Sequence, residues 1–137
     1  MALSSTSIVI GGESETAGGE TYAGHVYLYS ASTDDLALTL SSPTPAYDGY
    51  FGERVALSGT TLVVGGGFAT AGGFEEAGQV FSFKSTTGAL LHSYVSPSPQ
   101  TAGQFGWSVA ASGSEIAIGA PDETANGDSY GGYVYLY

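Results

Sequence analysis

The side chains of this chain best suited to hold an ion lie in one acidic stretch, Pro121-Asp122-Glu123-Thr124-Ala125-Asn126-Gly127-Asp128. Asp122, Glu123, Asn126 and Asp128 offer oxygen ligands beside a flexible glycine, which is the chemistry a hard cation such as Ca²⁺ requires. Their spacing is not that of an EF-type loop, and the plain alternative is a solvated, turn-forming loop. A second group is aromatic. Tyr22, Tyr47, Tyr50 and Tyr130 fall in loops or turns, where a ring either stacks on a sugar or fills a crevice between packed elements. A third group is hydroxylic. Thr44, Ser96 and Ser98 sit beside prolines, positions suited to O-glycosylation in a secreted protein, within segments that also read as stiff, extended connectors. Asn126 precedes Gly127-Asp128, so it forms no N-glycosylation sequon.

No catalytic set accompanies these groups. His25 and His92 occupy ordinary strand positions, no nucleophile-elbow pattern is present, and nothing pins a Ser-His-Asp geometry. Without cysteine there are no disulfides, thiol nucleophiles or thiolate metal sites. Only Arg54 and Lys84 oppose 13 carboxylates, giving a net charge of -11. Nucleic acid and anionic membrane are therefore poor partners, because both demand a basic surface. With 11% charged residues, the acidity reflects missing Lys and Arg more than added Asp and Glu. No stretch approaches transmembrane length, and Ile8-Val9-Ile10 is too short for a signal sequence.

The elements that must position these residues repeat. Val26-Tyr27-Leu28-Tyr29 recurs as Val80-Phe81-Ser82-Phe83 and as Val134-Tyr135-Leu136-Tyr137, at a spacing of 54 residues. Ile8-Val9-Ile10-Gly11 recurs in the same register as Leu62-Val63-Val64-Gly65 and Ile116-Ala117-Ile118-Gly119. Phe51-Gly52 matches Phe105-Gly106, and Pro43-Thr44-Pro45 matches Pro97-Ser98-Pro99. Each copy reads as four strands, a to d. Strand a covers Phe51 to Leu57 and Phe105 to Ala111, with Met1 to Leu3 as the tail of an earlier one. Strand b contains Leu62 to Val64. Strand c covers His25 to Tyr29, Gln79 to Phe83 and Tyr133 to Tyr137. Strand d covers Leu36 to Leu40 and Leu90 to Val95, stopped by the Ser-Pro-x-Pro segment.

Strand c decides the architecture. Val26 and Leu28 point to one face and Tyr27 and Tyr29 to the other, so the sheet needs cover on both sides. Four-stranded blades stacked around an axis meet that need at a period of this order. The expected fold is all-β, with propeller blades of four antiparallel strands. Residues 1–50 hold strands b to d of a first blade, residues 51–104 a complete second, and residues 105–137 strands a to c of a third.

At these residues the chain resembles FG-GAP repeat proteins, the blade type found in the propeller of integrin α-subunits. The signature reads Phe105-Gly106-Trp107-Ser108-Val109-Ala110, then Ile116-Ala117-Ile118-Gly119-Ala120-Pro121, then Gly132-Tyr133-Val134-Tyr135-Leu136-Tyr137. The second copy has Gly65-Gly66-Gly67 where the third has Gly-Ala-Pro, and the first has Gly11-Gly12-Glu13. Integrin-type blades carry a Ca²⁺ loop between strands a and b. Here that link is Ser58-Gly59-Thr60 or Ser112-Gly113-Ser114, without carboxylates, which resembles the shorter, calcium-free bacterial and algal variety. The resemblance implies an extracellular or cell-surface protein working in adhesion, ligand binding or scaffolding.

About two and a half copies fall short of the four or so blades a closed propeller needs. The expectation is a non-catalytic structural or interaction segment, completed by further blades of a longer chain or by copies of itself in an oligomer or filament. The alternative is an adhesion module that recognises glycan or protein through its loop tyrosines and acidic loops.

Overall fold

A computed structural model describes residues 1–137. It contains eleven strands and no helix: β1 Ala2–Leu3, β2 Ser7–Gly12, β3 His25–Ser30, β4 Leu36–Ser41, β5 Arg54–Ser58, β6 Thr61–Gly66, β7 Gln79–Lys84, β8 Leu90–Tyr94, β9 Ser108–Ser112, β10 Glu115–Ala120 and β11 Tyr133–Leu136. They form three antiparallel meanders, β1-β2-β3-β4, β5-β6-β7-β8 and β9-β10-β11. These are the expected blades, set face to face without closing a ring. One addition concerns the first blade. Ala2 pairs with Val9 and Leu3 with Ile8, so this blade also carries a two-residue stub of strand a.

Registers repeat with the sequence. Val9 lies opposite Leu28, as Val63 lies opposite Ser82. The ladder between strands c and d slips one residue after Leu28 in the first blade and after Ser82 in the second, 54 residues later.

Because both faces of the central blade are apolar, the core consists of the two seams between blades. The first seam joins Val9, Val26, Leu28 and Leu40 of the first blade to Phe51, Leu62, Val64, Phe81 and Phe83 of the second. The second joins Val63 and Val80 to Phe105, Ile116, Ile118 and Ala120, with Tyr94 and Tyr135 packed alongside.

The Phe-Gly pairs depart from expectation. Phe51-Gly52 and Phe105-Gly106 do not begin strand a, which starts three residues later, at Arg54 and Ser108. The Phe N–H of each pair is bonded to the blade before it, whereas the Gly N–H donates to the carbonyl of Gly65 or Gly119 in its own blade, at 3.2 and 3.0 Å. Asp48, Tyr50 and Phe51 donate their N–H groups to the carbonyls of Thr21, Tyr22 and Ala23 at 3.1, 2.8 and 3.1 Å. Ala102, Gln104 and Phe105 donate to Glu75, Glu76 and Ala77 at 2.9, 3.0 and 2.8 Å. The approach is close enough to require glycine on both sides. A Cβ on Gly65 would stand 2.5 Å from the Gly106 carbonyl oxygen, and one on Gly11 would overlap that of Gly52. Gly52 and Gly106 themselves hold φ of 99° and 98°, which side chains rarely adopt. Each blade therefore plugs a backbone segment into a notch of its predecessor.

The acid-bearing loops between strands b and c are ordered by a small hairpin in every copy, through bridges Ala17–Glu20, Ala71–Phe74 and Ala125–Asp128. Their central pairs, Gly18-Gly19, Gly72-Gly73 and Asn126-Gly127, all have positive φ, as a tight type I′ turn demands. Pro45 and Pro99 close over Gly18 and Gly72, pinning the proline connectors to these hairpins.

Candidate functional site

Two regions of the molecule offer chemistry to a partner: the outer faces of the terminal blades, and the loop end where the hairpins and Phe-Gly segments meet. On the outer face of the third blade, Val134 and Leu136 are 71% and 74% exposed, whereas Val26 and Leu28 at the same repeat positions are 0% and 2% exposed. On the opposite end of the stack, Ile8, Ile10, Tyr27 and Tyr29 occupy the positions of Leu62, Val64, Phe81 and Phe83, which the first seam buries. Ile8, Ile10 and Tyr29 line an open apolar hollow of about 210 Å³. The two ends carry opposite halves of one seam.

At the loop end, aromatic rings form a row across all three blades. Tyr22 stacks on Tyr50 with ring centres 5.8 Å apart and planes 13° apart. Phe68 meets Tyr50 edge-on at 5.5 Å and Trp107 at 5.8 Å, and the Arg54 guanidinium lies 5.0 Å from the Trp107 ring centre. Burial raises the Tyr50 hydroxyl pKa above its ordinary value, and Asp48 adds to the shift. Of the four loop tyrosines read from the sequence, only Tyr22 and Tyr50 come together. Tyr47 and Tyr130 are exposed and stand apart from the row. Phe68 was not expected there, because its repeat counterparts are Ser14 and Asp122 and no periodic signal marks it. Tyr22, Glu76 and Tyr130 share positive φ values of 57°, 53° and 61°, so the repeat's backbone, not the tyrosine, sets that conformation.

The residues read as cation ligands take separate local partners. Glu123 turns inward, 1% exposed, and accepts the Tyr135 hydroxyl at 2.5 Å, while its second oxygen has no hydrogen-bond partner. Asn126 occupies the left-handed corner of its hairpin, and Asp128 closes that hairpin through its main chain. The Asp122 carbonyl accepts Gln100 Nε2 at 3.0 Å. No three His, Cys, Asp or Glu side chains are grouped to hold a metal ion. Burial raises the Tyr135 pKa, and the bond to Glu123 raises it further. The same pairing recurs in the first copy, where Tyr27 donates to Glu15 at 2.5 Å. The second copy has Ala69 and Phe81 at the two positions, so acid and hydroxyl are kept or lost together.

The hydroxyl positions also separate. Thr44 is exposed and donates to Gln79 Oε1 at 2.9 Å, and Ser98 is exposed. Ser96 is a correction. At 3% exposure it is buried against Tyr135, so the folded chain does not offer its hydroxyl to a glycosylating enzyme. The histidines stay apart: His25 Nδ1 lies 3.3 Å from Glu15 Oε2, and the His92 ring packs beside Tyr94. No helix is long and apolar enough to cross a membrane.

Comparison with known families agrees with this geometry at the copy that keeps the fullest signature. Residues 99–137 match the family described as FG-GAP repeat. No curated protein matches the chain.

Proposed function

Taking the FG-GAP repeat at residues 99–137 as the premise, we propose that this chain is a non-catalytic structural and interaction segment of an extracellular or cell-surface protein. Its work is to present blade faces that further blades, or copies of itself in an oligomer or filament, complete. One observation carries the reading: the stack ends on opposite halves of the same apolar seam, with Val134 and Leu136 at one end and Ile8 and Ile10 at the other. Apolar sheet faces of this kind are covered in stable assemblies.

Light scattering on the purified chain across a range of concentrations tests it, with negative-stain imaging of the products. Association that rises with concentration, and that Val134→Asp with Leu136→Asp abolishes, is the expected result. A chain that remains monomeric throughout contradicts the self-assembly arm. A second reading, glycan or protein binding at the loop end, is favoured by the stacked Tyr22 and Tyr50. Calorimetry against a glycan panel tests it, with Tyr22→Ala and Tyr50→Ala expected to remove any heat of binding.

A further inference from the structure

The third blade repeats the notch that the first two use to hold the next blade. Gly119, Gly132 and Val134 stand where Gly11, Gly24 and Val26, then Gly65, Gly78 and Val80, receive Phe51-Gly52 and Phe105-Gly106. In the first two notches the glycines face the incoming main chain. A Cβ on Gly24 or Gly78 would overlap the carbonyl of Phe51 or Phe105, and one on Gly52 or Gly106 would press on Val26 or Val80. In the third notch, by contrast, the atoms nearest a Cβ on Gly119 or Gly132 belong to Ser108 or Pro121 of the same blade. Above them lies an open cleft of about 430 Å³, lined by Trp107, Gly119, Pro121, Gly132 and Val134. The carbonyls of Ser129, Tyr130 and Gly131 match the two acceptor triplets of the earlier notches, yet accept no main-chain hydrogen bond.

We propose that this cleft is a docking site for one kind of occupant, a Phe-Gly-leading segment of a further blade. The occupant's main chain donates to Ser129, Tyr130 and Gly131, and its glycine lies against Val134. The ground is continuity with an established interface, since the same notch is filled in the same way twice within this chain. Strand-like main-chain donors supply affinity, and the glycine supplies selection, because a side chain there meets Val134. The proposal rests on the reading that other blades complete the stack, and it names what enters first.

The test uses the intact chain and a synthetic peptide of its own residues 46–58, Ala-Tyr-Asp-Gly-Tyr-Phe-Gly-Glu-Arg-Val-Ala-Leu-Ser. The peptide contains no tryptophan, and the chain's single tryptophan, Trp107, lines the cleft, so Trp107 fluorescence reports occupancy. The expected result is a saturable change in Trp107 emission. Phe51→Ala in the peptide should weaken it about tenfold or more, since the burial of the phenylalanine ring is lost. Gly52→Val in the peptide should remove it. Val134→Asp in the chain should also remove it, and because that residue is exposed the fold should stay intact by circular dichroism. No saturable change, or binding indifferent to Gly52→Val and Val134→Asp, overturns the proposal. If the chain self-associates, loses that association with Val134→Asp, and still ignores the peptide, the occupant is a second copy. The docking proposal then fails while the assembly reading stands.

Discussion

The two seams have the same backbone plan and different chemistry. The first is hydrocarbon throughout, with Phe51 packed at 6.0 and 5.9 Å from Phe81 and Phe83. The second replaces Leu28 by Ser82, Leu40 by Tyr94, Phe81 by Tyr135 and Phe83 by Tyr137, and brings in the buried Glu123. Tyr94 and Tyr137 pack at 4.8 Å, and hydroxyls run from Ser96 through Tyr135 to Glu123. The lesson is that the repeat conserves where main chain meets main chain and leaves the side chains free to vary. They vary in matched sets, because a buried polar atom without a partner is costly.

The largest break in that comparison should come from Phe51→Ala, which empties the hydrocarbon seam. We expect a loss of about 3–5 kcal/mol in denaturant unfolding. Next, Tyr135→Phe strips the buried Glu123 of its only donor and should cost about 1–3 kcal/mol. Adding Glu123→Ala reproduces the Ala69–Phe81 pair of the second copy. That double variant should recover about 1 kcal/mol relative to Tyr135→Phe alone, read from a double-mutant cycle. If the two changes simply add, the pair is not coupled.

Alkaline pH should act on the second seam. Burial raises the Tyr135 and Tyr137 pKa values above 10.0, with Glu123 adding to both. A raised folded-state pKa means that this stability is complete below pH 10.0 and is lost as pH climbs through the folded values. Thermal melts above that pH should fall, and Tyr135→Phe should flatten the decline. The smallest effect is at Glu53, whose pKa burial raises, with Arg54 opposing and Glu13 reinforcing. By the same sign, its contribution is greatest at acid pH and is lost as pH rises. Glu53→Gln should thus gain roughly 0.5 kcal/mol at neutral pH, with the gain vanishing below the ordinary carboxyl pKa of 4.5.

Much of this was legible in advance. The 54-residue register located every central strand, because identical spacing forces identical hydrogen-bond partners. The acceptor of Phe51 was not legible. A Phe-Gly before an apolar run looks like the start of a strand, and only the fold shows its N–H bound to Ala23 of the blade before it. Glu123 shows the same limit. Among exposed-looking acids nothing singles it out until Tyr135 arrives from a strand twelve residues on. Ser96 looks like its exposed neighbours Pro97 and Ser98, and its burial depends on Tyr135, 39 residues away.

The Phe-Gly plug and its glycine notch have a consequence for how such a chain changes over generations. The copies that begin at Phe51 and Phe105 each carry both halves of the joint, a plug for the unit before and a notch for the unit after. A duplication or deletion of one whole unit leaves every remaining plug facing a fitting notch, without compensating substitutions. The number of blades is thereby free to drift while the joint stays the same, and the glycines, more than the core side chains, mark where one unit ends and its neighbour begins.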